Sequence, residues 1–268
     1  MPQSGSESES VANRPMNSVP RCTAHLVAGG RYHDIDFARR ELLALLAEHD
    51  QVRTTVSSDW EDLDRSLSSD LIISYTCDVR PSEKAQHEIR SWLASGGRLV
   101  ALHGTNAALD LGGSDGIEAP RCFPDWAEIL GSQFVAHPPI TSYLVEMSPG
   151  DHWLTAGIAP FEVDDELYLM EHPDRDSLEA LAYTRWCGEA PSFAESDWRN
   201  GPEQHLVQYL RRLGDGAVLY NTLGHCRGHW DMEPITDWYS QVERCSWQLP
   251  QYYELLRRSI RWAMGSSA

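Results

Sequence analysis

Short apolar runs alternate with amphipathic segments along the first hundred residues. Four runs have the length and composition of buried strands: 22–28, 51–56, 71–75 and 98–102. Residues 34–49 carry apolar side chains at helical spacing, and a second helix is predicted to begin at Pro81 and to end at Gly96-Gly97. Strands and helices that alternate in this order predict an α/β fold with a mostly parallel central sheet and helices on both faces.

The second half of the chain is less regular. Strand candidates lie at 143–147, 167–170, 178–183 and 217–220, and helix candidates at 125–130 and 251–264. Residues 105–125 are rich in glycine and proline and are predicted to be a long loop, as are residues 186–203. With no internal repeat and no low-complexity linker, residues 22–265 are predicted to form a single domain.

The first 21 residues have a different composition. They are rich in Ser, Glu, Pro and Asn and lack the apolar core of a signal peptide, so we expect a disordered N-terminal tail. The six cysteines are scattered without a CxxC pair, which is typical of reduced thiols. Both observations favour a cytoplasmic protein.

The charge balance narrows the classes of partner. With 22 basic and 40 acidic residues the net charge is −18, and such a surface repels phosphate backbones and anionic headgroups. We therefore expect no nucleic-acid partner and no membrane partner. A small-molecule ligand and a homo-oligomer are both compatible with this composition.

Histidines follow three of the predicted strands. His33 comes after the first strand and its Gly29-Gly30 turn, His103 ends the strand at 98–102, and His225 follows the strand at 217–220. In open parallel sheets ligands bind outside the carboxyl ends of the strands. One such histidine alone is readily explained as a structural cap, but three together predict a shared site.

The position of His103 resembles a nucleophile elbow, because a strand runs into His103-Gly104 and bends there. An imidazole at this tip suits proton transfer or metal binding. His33, next to a helix N-terminus, is expected to stay neutral at pH 7, and Asp34 suits the N-cap of that helix.

Other polar residues have two interpretations each. Glu166 belongs to an acidic run that is either solvated or turned inward, where it would orient an imidazole or act as an acid with a raised pKa. His137, before two prolines, either points into the site or is solvated. His225 and His229 would form a metal-ligand pair on a helix, although Gly228 disfavours a helix there.

Seven motifs in chain order resemble those of the ThuA-like, or trehalose-utilisation, family: GGRYHD, GGRLVALHG, ILGSQFVAHP, DHWLTAGI, DELY, LYNTLGH and RRSIRWAMG. The resemblance covers residues 22–265 and implies a flavodoxin-like fold of the class I glutamine amidotransferase-like superfamily. True amidotransferases have a cysteine at the elbow, so His103 implies that glutaminase activity is absent. The segment 231–250 is additional to the family pattern and could cover the pocket or contact another subunit.

The resemblance also implies which residues line a pocket. His103, His225, His33 and Glu166 are expected to be catalytic, with His103 as base or ligand and His225 as its acid partner. The substrate-binding residues are expected to be Asp34, Gly104, His137 and Tyr168. The implied substrate is an oxidised (3-keto) sugar or glycoside, processed by a lyase, isomerase or hydrolase, and a divalent metal such as zinc is a candidate cofactor. The alternatives are a non-catalytic sugar-binding module and a regulatory or interaction module.

Overall fold

The computed structural model of the protein describes residues 21–112 and 116–265. The predicted N-terminal tail lies outside the described residues except for Arg21. Eleven strands are found in these residues: β1 (Cys22–Gly30), β2 (Val52–Ser57), β3 (Leu71–Cys77), β4 (Arg98–Leu102), β5 (Gln133–Ala136), β6 (Thr141–Met147), β7 (Phe161–Asp165), β8 (Leu169–Glu171), β9 (Leu178–Arg185), β10 (Gln204–Leu213) and β11 (Gly216–Asn221). Five helices accompany them: α1 (Ile35–Leu46), α2 (Leu63–Leu67), α3 (Glu83–Ala94), α4 (Pro124–Leu130) and α5 (Pro250–Ala263).

Nine strands form one sheet in the order β2-β1-β3-β4-β11-β10-β9-β6-β7. The first five are parallel, and the last four are joined by antiparallel pairs. The mostly parallel sheet predicted from the sequence is confirmed for the half that carries β1, β4 and β11. Because these three strands run in the same direction, the residues that follow them meet at one edge of the sheet.

The helices lie on both faces of this sheet. On one face α1 packs beside α5, and on the other α3 contacts both α2 and α4. Each long helix has a local reason to begin where it does. The carboxylate of Asp34 accepts a hydrogen bond from the backbone N–H of Phe37, and the hydroxyl of Ser82 accepts one from Ala85. The helix predicted to begin at Pro81 is α3. It begins at Glu83 after the serine cap, so the predicted start is wrong by two residues.

The centre of the sheet is its most apolar part. All seven residues of β3 are buried, and Ile73 on this strand packs in one core cluster with Leu26 and Val100. Burying each such side chain contributes roughly 1.5–3 kcal/mol. A well-packed centre holds the strand ends in fixed positions, and polar side chains at those ends are held with them.

Three strands were not predicted. In β7 and β10 polar residues occupy buried positions: Asp165 and Gln208 are both fully buried. Such residues interrupt the apolar pattern on which strand prediction depends. The third, β5, has only four residues and pairs with β8 outside the main sheet. Within residues 21–112 and 116–265, no helix has the length and apolarity required to cross a bilayer.

Candidate active site

Four of the predicted site residues come together at the carboxyl edge of the parallel strands. His33, His103, Glu166 and His225 are all buried, and one ligand atom of each lies within 4.8 Å of those of the other three. They lie in four separate loops, which follow β1, β4, β7 and β11 in the chain. The convergence predicted from the three strand-tip histidines is present in the structure.

His103 sits on a sharp turn. Its φ is +44°, a left-handed conformation that is unusual for a residue other than glycine, and a 3₁₀ turn follows directly over His103–Asn106. Gly104 lies so close to β3 that an added Cβ would be 2.6 Å from the carbonyl oxygen of Thr76. The hydroxyl of Tyr220 donates a 2.6 Å hydrogen bond to the His103 carbonyl oxygen and holds the bend. The geometry of an elbow is thus present with an imidazole at its tip.

His33 reaches the same place by a glycine turn. Gly30 has a φ of +109°, and a Cβ at this position would lie 1.8 Å from the carbonyl oxygen of Cys77. Only glycine fits such a conformation against a neighbouring backbone. The turn brings the His33 ring over the strand ends, edge-on to His103 at a centroid distance of 4.8 Å.

In each of the three histidines, the ring nitrogen that faces away from the cluster contacts a carbonyl or carboxylate oxygen. This contact fixes which nitrogen carries the proton when the ring is neutral. His103 Nδ1 lies 2.7 Å from the Thr222 carbonyl oxygen, and His33 Nδ1 lies 3.3 Å from that of Arg31. A carbonyl oxygen can only accept, so each Nδ1 carries the proton and each Nε2 of a neutral ring has a free lone pair. For His225 the roles are reversed, because Nε2 donates to the Glu243 carboxylate at 2.8 Å, so Nδ1 is the nitrogen that has the lone pair when this ring is neutral.

The free lone pairs face one another. The Nε2 atoms of His33 and His103 are 2.9 Å apart, and His225 Nδ1 is 3.1 Å from Glu166 Oε2. His225 Nδ1 is buried and makes no hydrogen bond of normal geometry. Two unprotonated nitrogens this close repel each other unless something positive lies between them, and the contact of His225 Nδ1 with Glu166 likewise needs a proton or a cation between the two atoms. Imidazoles whose outer nitrogens are tied to carbonyls or carboxylates are typical of metal sites. These three nitrogens and one carboxylate oxygen could hold a divalent cation such as zinc.

Burial and neighbouring charges both shift the pKa values of the site residues. Burial is the main cause that lowers the pKa of His33 to about 3, so this ring is neutral at pH 7. Burial acts in the same direction on His225, but the carboxylates of Glu166 and Glu243 outweigh it and raise the pKa to about 9. For Glu166 burial alone would raise the pKa, yet His137, His225 and His103 hold it well below its usual range. Of the two roles considered for an inward-pointing Glu166, this direction favours a carboxylate that orients an imidazole over an acid with a raised pKa.

Two charged residues at the site were not predicted. Arg227 donates to Glu166 Oε1 at 3.1 Å and to Glu243 Oε2 at 2.9 Å, and so links the two carboxylates. Glu243 belongs to the additional segment 231–250, in which no sequence pattern indicates a charge directed toward the site. The arrangement compensates two buried carboxylates with one guanidinium. The only sequence signal for Arg227 was its place two residues after His225.

A cavity of about 400 Å³ opens beside Glu166, whereas His33, His103 and His225 do not line it. It is lined by Glu166, Arg227 and Glu243 and by His137, whose Nε2 lies 3.7 Å from Glu166 Oε1. His137 Nδ1 donates to the Pro138 carbonyl oxygen at 2.7 Å, so the free lone pair is on Nε2. Of the two interpretations of His137, the structure supports the one in which it points into the site. Met232, Ile235 and Tyr239 also line the cavity, so the additional segment covers the site.

The remaining predicted site residues have other surroundings. Tyr168 is buried, and its ring packs on that of His103 at 4.4 Å. Asp34 caps α1 and accepts a 2.8 Å hydrogen bond from Arg244, so it does not line the cavity. Gly104 packs against β3 and does not line it either. The proposed helical pair of His225 and His229 is wrong, because His229 turns away and stacks on Trp238 at 4.1 Å.

Comparison with known proteins agrees with this architecture. No curated protein sequence matches the chain. Among solved structures, a ThuA-like protein from Parabacteroides merdae is similar with a TM-score of 0.67 at 14% identity, covering 93% of this chain and 92% of that one. A ThuA-like protein from Bacteroides uniformis gives a TM-score of 0.62 at 16% identity, covering 93% and 95% of the two chains. At these identities the similarity concerns the fold alone. The family model ThuA, described as trehalose utilisation, matches residues 25–241. The chain therefore belongs to the ThuA family.

Proposed function

We propose that this protein is a metal-dependent enzyme that acts on an oxidised (3-keto) sugar or glycoside. The observation that carries the proposal is the set of His33 Nε2, His103 Nε2, His225 Nδ1 and Glu166 Oε2, which lie within 4.8 Å of one another and meet a cavity at Glu166. Membership of a family described by trehalose utilisation supports a carbohydrate substrate.

The donor set fits a divalent cation on two grounds. His225 Nδ1 is a buried nitrogen without a hydrogen-bond partner, and the His33–His103 contact joins two atoms that both have free lone pairs. Three imidazole nitrogens and one carboxylate oxygen match the donors that zinc prefers. When bound, such a cation polarises a carbonyl group and stabilises negative charge on its oxygen.

In this proposal His103 and His225 hold the cation, and the base is a different histidine. His137 lines the cavity, its Nε2 is unprotonated in the neutral ring, and burial lowers its pKa so that it is neutral at pH 7. A carbonyl group at C3 makes the C2–H bond acidic, and His137 Nε2 would take that proton. Electrons from the C–H bond would form the C1–C2 double bond, the bond from C1 to the aglycone oxygen would break, and the imidazolium would return the proton to the departing oxygen.

The metal content and the turnover of the purified protein test the proposal together. We expect about one equivalent of a divalent metal by elemental analysis and release of the aglycone from 3-keto-glycosides. His103→Ala should lose both. His205→Ala is the matched control, since His205 is also buried but hydrogen-bonds to the Trp186 carbonyl oxygen instead.

A non-catalytic sugar-binding module predicts a different result. It would retain affinity for sugars and show no turnover of any keto-glycoside. A protein that contains no metal, and whose His103→Ala variant still turns over substrate, would rule out the arrangement proposed for the histidines.

A further inference from the structure

The cavity beside Glu166 is divided chemically into two parts. Its charged lining residues form one connected group: Arg227 bridges Glu166 and Glu243, the Tyr239 hydroxyl donates to Glu243 at 2.8 Å, and His137 faces Glu166. The rest of the lining is mainly apolar and contains Leu109, Leu111, Ile117, Ile140, Met232 and Ile235. Phe193 adjoins this part, and its ring lies 4.8 Å from that of His137.

The apolar lining comes from two separate segments. Leu109, Leu111 and Ile117 belong to the loop after β4, which the Asp110–Glu118 and Ile117–Phe193 bridges hold in place. Met232 and Ile235 belong to the additional segment, which the Arg227–Glu243 bridge holds over the site. Ile235 remains 52% exposed although it lines the cavity. Apolar side chains that are left partly uncovered around one cavity are typical of a ligand site.

A second sugar ring would be poorly accommodated against this lining. Each hydroxyl of a buried sugar needs a hydrogen-bond partner, and an unpaired one weakens binding because its desolvation is not compensated. Among the described residues that line the cavity outside the charged group, Ser192 and Tyr32 are the ones with side-chain hydroxyls. The charged group has enough hydrogen-bonding atoms to bind one sugar ring. The carbonyl oxygen of this ring would lie near Glu166 and His137.

We propose that the substrate is a 3-keto-glycoside with an apolar aglycone, rather than a disaccharide. This inference rests on the proposed function, because it assumes that the sugar ring occupies the charged part of the cavity. The aglycone would then pack between the loop after β4 and the additional segment, with Ile235 in contact with it.

Two substrates and two variants test this inference. We expect kcat/KM for phenyl 3-keto-β-D-glucoside to exceed that for 3-keto-trehalose by about tenfold or more, which is the usual gain from filling an apolar pocket. Ile235→Asn should lower kcat/KM for the phenyl substrate several-fold and leave that for the disaccharide unchanged. Leu144→Asn is the matched control, because Leu144 is 46% exposed on β6 and does not line the cavity.

The outcomes separate the two proposals. Equal kcat/KM for both substrates, or an Ile235→Asn variant that loses both equally, would overturn the aglycone inference while the proposed function stands. If neither substrate is turned over, the proposed function fails, and calorimetry with the unoxidised sugars decides the inference. Tighter binding of phenyl β-D-glucoside than of trehalose would support it, and equal affinities would overturn it.

Discussion

The buried carboxylate of Asp165 accepts a hydrogen bond from the backbone N–H of His225, with Oδ1 at 3.2 Å. The same oxygen accepts the backbone N–H of Glu166 at 2.8 Å, while Oδ2 accepts those of Gly224 and Ser246 at 3.2 and 3.3 Å. One side chain at the end of β7 therefore fixes the backbones of two residues of the cluster relative to each other. Asp165 itself has no contact with the cavity and acts as a positioning residue.

Replacing Asp165 by Asn should weaken both the fold and the site. The amide has only one acceptor oxygen and would place an NH₂ group against backbone donors. We expect the free energy of unfolding to fall by about 2–4 kcal/mol, as is usual when a charged acceptor of buried N–H groups is lost. Denaturant unfolding monitors this change. The control is Asp164→Asn on the exposed side of the same strand, which should unfold like the parent protein.

The affinity for metal should depend on pH with a slope of one proton. The carboxylates around His225 raise its pKa to about 9, whereas the pKa of His33 is lowered to about 3. Below pH 9 a cation must displace one proton from His225 and none from His33. We expect the association constant to rise about tenfold per pH unit between pH 6.5 and 8.5. Competition with a chelator of known affinity measures it, and a flat profile would contradict the ligand role of His225.

Glu243→Gln should lower metal affinity without removing a ligand. Glu243 accepts from His225 Nε2 and thereby sets the ring orientation and increases its basicity. Loss of such an outer carboxylate typically costs 10–100-fold in metal affinity. The pKa of His225 should also move back toward its ordinary value, and NMR of the ring protons in metal-free protein reports it. Glu162→Gln, at an exposed position of β7, is the control. A variant with unchanged affinity would show that Glu243 only covers the cavity.

Gly104→Ala tests whether the elbow requires its glycine. A Cβ at this position would lie 2.6 Å from the Thr76 carbonyl oxygen, so the turn after β4 would have to move. We expect a loss of about 1–3 kcal/mol in stability, which is the usual cost of overpacking, together with reduced metal content because His103 moves. Gly112→Ala is the control, since a Cβ there meets no atom of the described residues within 4 Å. Equal melting temperatures for the two variants would show that the turn tolerates a side chain.

The sequence predicted those parts of the structure that depend on local pattern. The strands β1, β3 and β4 are apolar runs bounded by breakers, and the direction of parallel strands was enough to bring His33, His103 and His225 to one edge. Glu166 was also found, although its buried position could not be derived from an acidic run.

The parts that were missed depend on contacts between distant segments. Arg227 and Glu243 are sixteen residues apart, and neither has a reason to be buried until the other compensates its charge. The roles of the histidines depend on which ring nitrogen meets a carbonyl oxygen, such as that of Thr222 for His103. No one-dimensional pattern contains that information, so the sequence could name the residues but could not distinguish a base from a ligand.

The dispersal of the cluster has a consequence for how the protein is made. Its members are drawn from positions 33, 103, 166 and 225, with Glu243 behind them, so they span most of the polypeptide. A nascent chain released before residue 243 lacks part of the set, and a fragment must reach from residue 33 to residue 243 to contain all of it. Metal occupancy of the site would accordingly report that this whole span has been made and folded, and a product truncated within it would bind no metal.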